Sequence, residues 1–285
     1  MADFSGAEAA QRYKNAENAT GPYAKIIVGQ SGIAAYLNSG AEANVLDFAC
    51  GTGVVAQKLY DMIPKEKWRQ LKVLGADISP PMLEYSKARG EKQGWVGLET
   101  KIVDGNGDFT QALPKSSFTH IFTTFALNML PEQAISHLYS LLHPGGFIAV
   151  ATWSTIPWHI LLTRSIALMD APQPYSPSHN EFQEKLCGPW AAESHVVQQL
   201  EGAGLERVGS SAQKERVRAG TPKVFMGSMQ FPLQFVVKTW WEGERDGIME
   251  ELSDAMKEIV EGEVGEDGEV GMEFDGVMGW EWKSG

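Results

Sequence analysis

The sequence predicts an α/β fold: a doubly wound, Rossmann-like sheet, mostly parallel with an antiparallel last strand, carrying a helical lid insertion. Three observations lead there. Short apolar runs recur along the first half of the chain, and segments with apolar residues at helical spacing alternate with them, the pattern of parallel strands joined by crossover helices. Three of these runs end on an acid: Asp47, Asp77 and Asp104. The first run opens into Gly51-Thr52-Gly53, and a glycine turn between a strand and a helix brings backbone N–H groups and the positive helix end close to a ligand.

The elements follow in order. Residues 1–40 read as an N-terminal helical arm. Its first twenty residues are polar, and Pro22 to Leu37 holds apolar residues at helical spacing, broken at Gly29 and Gly32. A cofactor-binding core over 41–155 begins with a strand at 45–48 and a helix at 54–63. A strand at 71–76 ends at Asp77, and Pro80 at a helix start leads into a helix over 82–93. Strands are expected at 98–103 and 118–125, a helix at 132–142, and a Pro144-Gly145-Gly146 turn before a strand at 147–153. After Trp153 the rhythm changes. Segments 156–200 and 219–262 read as helical lid elements, and 205–217 and 271–283 as the final strands, so that 1–285 forms a single domain. A lid at that place in the chain belongs over the carboxyl ends of the strands.

The chain has 36 acids against 24 Lys and Arg, for a net charge of −12. That balance argues against a nucleic-acid backbone as the main partner. No basic apolar leader or bilayer-length apolar run is read, so no membrane partner is expected. Two cysteines, Cys50 and Cys187, one of them in the turn, fit a reducing, cytoplasmic setting. Eight acids and one lysine fall in 261–285. Yet Met272-Glu273-Phe274-Asp275 and Trp280-Glu281-Trp282-Lys283 alternate apolar and charged residues. That is a half-buried strand rather than an acidic tail, with only 261–268 loose.

Two cofactors compete for the turn. Gly51-x-Gly53-x-x-Ala56 fits the loose dinucleotide spacing, with Asp77 on a ribose. S-adenosylmethionine carries an ammonium and a carboxylate, two ribose hydroxyls and an adenine, and no phosphate. Asp47, placed at the turn, costs energy beside a pyrophosphate and helps beside an ammonium. Asp77 suits the ribose hydroxyls, and Asp104-Gly105-Asn106 suits the adenine edge. Three acids at successive strand ends therefore favour a cationic, phosphate-free ligand.

With VLDFACGTG, GADIS, IVDGN, FTTFALNML and HPGGFIAVATW in this order, the chain resembles the class I S-adenosylmethionine-dependent methyltransferases over about residues 40–155. It departs at Ala49, where the family's turn has its middle glycine. RYKNAENATGPYA, GWVGLETKIVDGN and the helical insertion before a terminal strand further resemble fungal small-molecule methyltransferases of the gliotoxin dithiol bis-methyltransferase type, across nearly the whole chain. The resemblance implies that Asp47, Ala49 and Gly51 face the methionine part. It implies Asp77 and Ile78 at the ribose with Met82 nearby, Asp104, Gly105 and Asn106 around adenine, Phe125 near the reacting methyl, and Tyr13 closing from the arm. It also implies methyl transfer to a small hydrophobic secondary metabolite, at the sulfur of a (di)thiol such as a reduced epidithiodiketopiperazine, or else at oxygen or nitrogen.

A thiol acceptor needs little activation, since a free thiol pKa of about 8.5 leaves some thiolate near neutrality. His159 is the candidate base, and Asn128, Trp153 and Trp158 are candidates for the acceptor pocket. His120, inside a strand, and His143, beside the Pro-Gly-Gly turn, read as packing or capping residues. Cys187 reads as an inert thiol. No His/Cys cluster has metal-ligand spacing. The aromatics of the insertion, Phe231, Phe235, Trp240 and Trp241, suit a flat apolar acceptor, although core packing accounts for most of them. The exit Phe125-Ala126-Leu127-Asn128 is unlike the Asn-Pro-Pro-Tyr of enzymes that methylate a base amine. A cofactor-binding protein without methyl transfer and a nicotinamide oxidoreductase are the competing readings.

Overall fold

A computed structural model describes residues 16–243 and 245–285. Its centre is a seven-stranded sheet in the order β3-β2-β1-β4-β5-β7-β6. The parallel part comprises β1 (Ala43–Phe48), β2 (Leu71–Asp77), β3 (Leu98–Ile102), β4 (Phe118–Thr124) and β5 (Leu142–Thr155). β6 (Gly209–Arg218) and β7 (Gly271–Trp282) complete it, β7 lying antiparallel between β5 and β6.

Alternate residues of the central strands feed two separate cores. Val45, Phe122 and Ala149 face one side, and Leu46, Ile121 and Ile148 the other, as the period of two demands. The first face is covered by α1 (Glu17–Gln30) and α3 (Val54–Met62) through Tyr23, Ile27, Val55 and Leu59; the short α2 (Ile33–Asn38) adds Ile33 and Leu37. The second face is covered by α5 (Ala134–Leu141) and α8 (Glu193–Gly202) through Ile135, Leu138, Val196 and Leu200. α4 (Pro80–Gln93) packs on β2 and β3. Fully burying side chains of this size contributes about 1.5–3 kcal/mol each, so the two faces together hold the sheet.

A third apolar cluster is built from helices alone. It joins α6 (His159–Leu168), α7 (His179–Leu186), α9 (Pro222–Trp240) and α10 (Ile248–Val264) through Leu162, Phe182, Leu233, Leu252 and Met256. Among the described residues no helix is long and apolar enough to cross a membrane.

The structure corrects several boundaries. The expected lid segment 156–200 is divided: α6 and α7 enter the third cluster, but α8 puts Val196 and Leu200 on the sheet. α1 runs through Pro22 and Gly29 and ends only before Gly32, whose φ of 61° starts the next helix. β5 begins at Leu142 rather than after Gly146, because Gly145 N–H donates to the Lys283 carbonyl and Lys283 N–H to the Gly146 carbonyl. β6 starts at Gly209, since Gly204 (φ 108°) turns the chain and Leu205 N–H bonds back to Leu200. The acidic stretch expected to be loose is ordered as far as Val264 by α10, whose Ile259 and Val260 are buried. β7 forms as the alternation required, and Gly276 lies where a Cβ would meet the Tyr23 ring at 2.4 Å.

Candidate active site

The carboxyl ends of β1 to β4 converge on one cleft of about 840 Å³, its open mouth included. Its walls come from Phe48, Ala49 and Gly51 after β1, Asp77 and Ile78 after β2, and Val103, Gly105 and Asn106 after β3. Thr124, Phe125 and Ala126 after β4 close the far side, and Met82, Met129 and Leu130 complete it. Each strand delivers its last residues to the same edge because all four run parallel.

The turn is held from several directions. Gly51 N–H donates to Asp77 Oδ2 at 2.8 Å, and Ser79 N–H donates to Asp77 Oδ1 at 2.9 Å. Burial pushes the Asp77 carboxyl above its ordinary range, and these amides pull it partly back. Gly53 (φ 82°) starts α3, and any Cβ there would lie 2.5 Å from Ser86 Oγ. Ala49 stands at φ 55°, a left-handed conformation that favours glycine. This is the physical content of the family's missing glycine, and the strain amounts to about 1–2 kcal/mol. The structure therefore keeps a glycine-like backbone at Ala49 and stores strain in the turn after β1.

Asp47 is placed differently from the expectation. Its side chain does not line the cleft and is 1% exposed. Neither carboxylate oxygen has a hydrogen-bond partner. Burial pushes its pKa up to about 8; the Ala56 amide offers partial relief without reaching hydrogen-bond geometry, and neighbouring Asp77 raises the value further. An orphaned carboxyl of this kind is suited to a cation arriving at the turn. Cys50, also buried in the turn, is pushed well above the ordinary thiol range by burial and by Asp47 and Asp77, so it is held neutral.

Asp104 is likewise corrected. It is exposed, does not line the cleft, and its Oδ1 accepts the backbone N–H and the side-chain amide of Asn106 at 2.9 and 2.7 Å. Asp104 shapes the loop that presents Gly105 and Asn106. Gly105 packs closely there, since a Cβ would meet the Leu130 side chain at 2.6 Å.

On the far side, Phe125 stands at φ 55° and stacks on Trp153 with ring centroids 3.8 Å apart. Tyr23 packs edge-on to both rings at 5.6 Å, and Phe274 leans on Trp153. Trp153 thus supports the cleft wall from behind Phe125 without lining the cleft.

The remaining candidates lie elsewhere. His159 is buried in the helical cluster at the start of α6, and its Nε2 donates to the Pro177 carbonyl at 2.9 Å. It does not reach the cleft. The reason is the turn into α6, which directs the ring onto Phe182 and His179. Trp158 packs edge-on to Phe182 in the same cluster. Asn128 is exposed, and its amide donates to the Leu186 carbonyl at 2.7 Å, tying the loop after β4 to α7. Trp240 stacks over Phe182 and meets Phe235 edge-on, and Trp241 donates to the Tyr175 carbonyl, so these aromatics pack with the helical cluster. Burial pushes the Cys187 thiol up to about 12. Tyr13 lies outside the described residues. Sequence reasoning missed Phe48, Val103, Thr124, Ala126, Met129 and Leu130; only their places at strand ends or in the loops that follow marked them. Among the described residues, no group of three or more His, Cys, Asp or Glu could hold a metal ion.

A parallel sheet whose strand ends enclose an apolar cleft, with a glycine turn at one end and an acid closing β2, is the place where open α/β sheets bind ligands. The family model of a methyltransferase domain matches residues 45–146. The chain is 30% identical over 249 residues to methyltransferase tpcH of Aspergillus fumigatus, an alignment spanning 86% of each chain. It is 25% identical over 272 residues to the acetylaranotin bis-thiomethyltransferase of Aspergillus terreus, covering 95% of this chain and 92% of that one. A solved phosphoethanolamine N-methyltransferase 2 of Haemonchus contortus in complex with S-adenosyl-L-methionine superposes with a TM-score of 0.49 and 14% identity, over 86% of this chain and 49% of that one. The chain belongs to the methyltransferase family. It is an S-adenosylmethionine-dependent methyltransferase.

Proposed function

We propose that the enzyme methylates a small hydrophobic fungal secondary metabolite, at the sulfur of a thiol or dithiol such as a reduced epidithiodiketopiperazine. The observation that carries this reading is the chemistry of the cleft wall. Beyond Asp77, whose oxygens already accept backbone amides, the far side is Thr124, Phe125, Ala126, Met129 and Leu130. Such a wall favours an apolar acceptor that brings its own acidity, and a thiol does so near neutral pH. The near full-length likeness to a bis-thiomethyltransferase supports the same acceptor atom.

S-adenosylmethionine supplies an electrophilic methyl on a sulfonium. The chain's residues bind and orient. Asp77 would hold the ribose hydroxyls, exchanging part of its present amide bonding. Ile78, Met82, Val103, Gly105, Asn106 and Leu130 would enclose the adenine, with Asp104 fixing Asn106. Gly51 and the strained Ala49 would receive the amino-acid end, and Asp47 would meet its ammonium from behind. Phe125, backed by Trp153, would form the wall beside the transferring methyl. Proximity and orientation of this kind can supply up to about 7–11 kcal/mol of the barrier. The helices α6, α7, α9 and α10 would serve as the lid, with Asn128 its tie to the cleft loop. Both described cysteines are free and buried, which supports a reducing, cytoplasmic setting.

Incubation with S-adenosylmethionine and a panel of dithiols, phenols and amines, read by mass spectrometry, tests the acceptor. A methylated dithiol is the expected product. Methylated phenols or amines with unreacted dithiols would overturn the sulfur assignment. Asp77→Ala should abolish S-adenosylhomocysteine binding by calorimetry, and unchanged affinity would refute the ribose assignment.

A further inference from the structure

The first turn of α1 is bound to the glycine turn through a half-buried polar cluster. Glu17 opens α1, and its Oε1 accepts the Thr52 hydroxyl at 2.5 Å and Arg89 Nη1 at 2.8 Å. Thr52 is the middle residue of Gly51-Thr52-Gly53 and is 1% exposed. Arg89, on α4, also donates to the Thr52 carbonyl at 3.3 Å and through Nε to Gln57 Oε1 at 3.1 Å. The Arg89 and Glu17 side chains are 16% and 12% exposed. A pair this sheltered from solvent is screened far less than the exposed Lys72–Glu42 pair. The guanidinium also lies over the Trp95 ring, 5.9 Å from its centroid.

These contacts complete a three-sided clamp. Asp77 holds the Gly51 amide from β2, Ser86 of α4 backs Gly53, and Glu17 with Arg89 grips both the hydroxyl and the carbonyl of Thr52. The residue gripped sits between the two glycines, so its peptide orientation sets the direction of the neighbouring turn amides. Within the turn Gly53 N–H donates to the Cys50 carbonyl at 2.9 Å, but Gly51 and Gly53 both have positive φ and no side chain to restrain them, so the Thr52 contacts add the side-chain restraint. The alternative, a purely structural role in docking α1, is already served by Tyr23, Ile27 and Val28, all fully buried on the first core.

We propose that Glu17 and Arg89 are positioning residues for the cofactor turn, acting through Thr52 to pre-organise it for the amino-acid end of S-adenosylmethionine. This inference rests on the reading that the turn receives that end. Neither residue touches the cleft, so each acts on affinity through the geometry of the turn.

The test is S-adenosylhomocysteine binding by calorimetry on the full chain, with thermal unfolding of each variant measured beside it. Glu17→Gln, Arg89→Met and Thr52→Val should each weaken binding by about tenfold, the effect of losing one charge-assisted hydrogen bond. Glu17→Gln combined with Arg89→Met should be little worse than either alone, because both act through one cluster. Arg89→Lys, which keeps the charge and loses the fork, should recover only part of the loss. A structural role alone would lower the melting temperature and leave the affinity of the folded protein unchanged; that result would overturn the proposal, as would fully additive losses. Asp77→Ala separates the two levels. If it keeps wild-type affinity, the cofactor reading of the turn fails. If it loses affinity while the Glu17 and Arg89 variants keep theirs, only the positioning role fails.

Discussion

Asp47→Asn should make the ligand-free protein more stable near neutral pH and the cofactor complex weaker. With a pKa near 8 in the folded state and about 3.9 when unfolded, the Asp47 carboxyl is protonated in the native protein and ionised in the unfolded chain between these values. The unfolded state then binds fewer protons, so stability falls as pH rises through that window, by about 1.4 kcal/mol per unit. From about pH 3.9 to about pH 7 the loss reaches about 4 kcal/mol, an upper bound because a buried site relaxes and admits water. Asparagine keeps the shape and cannot ionise, so the variant escapes this loss. Urea unfolding at about pH 5 and about pH 7 measures it: the advantage of the variant should grow by about 2–3 kcal/mol between the two. A constant difference across pH would refute the reasoning, since it would mean that Asp47 is already ionised in the free fold. The same carboxyl makes a second demand. If the cofactor's ammonium meets Asp47, binding must drive off its proton. Calorimetry of S-adenosylhomocysteine in buffers of different ionisation enthalpy should then show proton release in wild type and none in Asp47→Asn. Absence of release in wild type would remove Asp47 from the binding account.

Two further predictions follow from buried groups and strain. His120 is fully buried among Tyr36, Phe147 and Trp282, and burial pushes its pKa down to about 4. Neutral burial is fully tolerated above about pH 6.5 and costs up to about 3 kcal/mol as pH falls through 4; His120→Phe, compared with wild type by denaturant unfolding, should lose that acid sensitivity, and parallel pH curves would contradict it. Ala49→Gly relieves the left-handed strain at φ 55° and should leave stability equal or up to about 1 kcal/mol higher, with S-adenosylhomocysteine affinity retained by calorimetry; a marked destabilisation would show that the Ala49 methyl packs something the backbone argument ignores.

How much of this was legible in the chain depends on the range of the physics. Alternation of β1, β2 and β4 with their helices follows from local periodicity, and the acid at or near the end of each of the first three strands marks the ligand edge wherever the sheet is parallel. Asp77, Gly51, Gly105 and Asn106 therefore reach the cleft as read. Asp104 and Asp47 do not. Which way a residue at a strand end points is decided by one or two dihedrals, and the same carboxylate can face a ligand, cap its own loop as Asp104 does, or be buried away from the cleft as Asp47 is. His159 failed for a longer-range reason. Its place just past β5 was right for an acceptor pocket, but the path of α6 over Phe182 and the Pro177 carbonyl took the ring into the helical cluster.

By itself, then, the sequence determined the doubly wound sheet, the glycine turn and the final strand, because each is written in short-range patterns of apolar period and glycine, while the class of cofactor followed from the resemblance of the motifs to a known family. Tertiary structure alone decided what holds the turn. Glu17, Thr52 and Arg89 lie 35 and 37 residues apart along the chain, and Tyr23 reaches the Phe274 carbonyl 251 residues away. Contacts at such separations depend on how helices settle on the sheet, where packing of whole faces outweighs any local preference and leaves no spacing rule in the sequence.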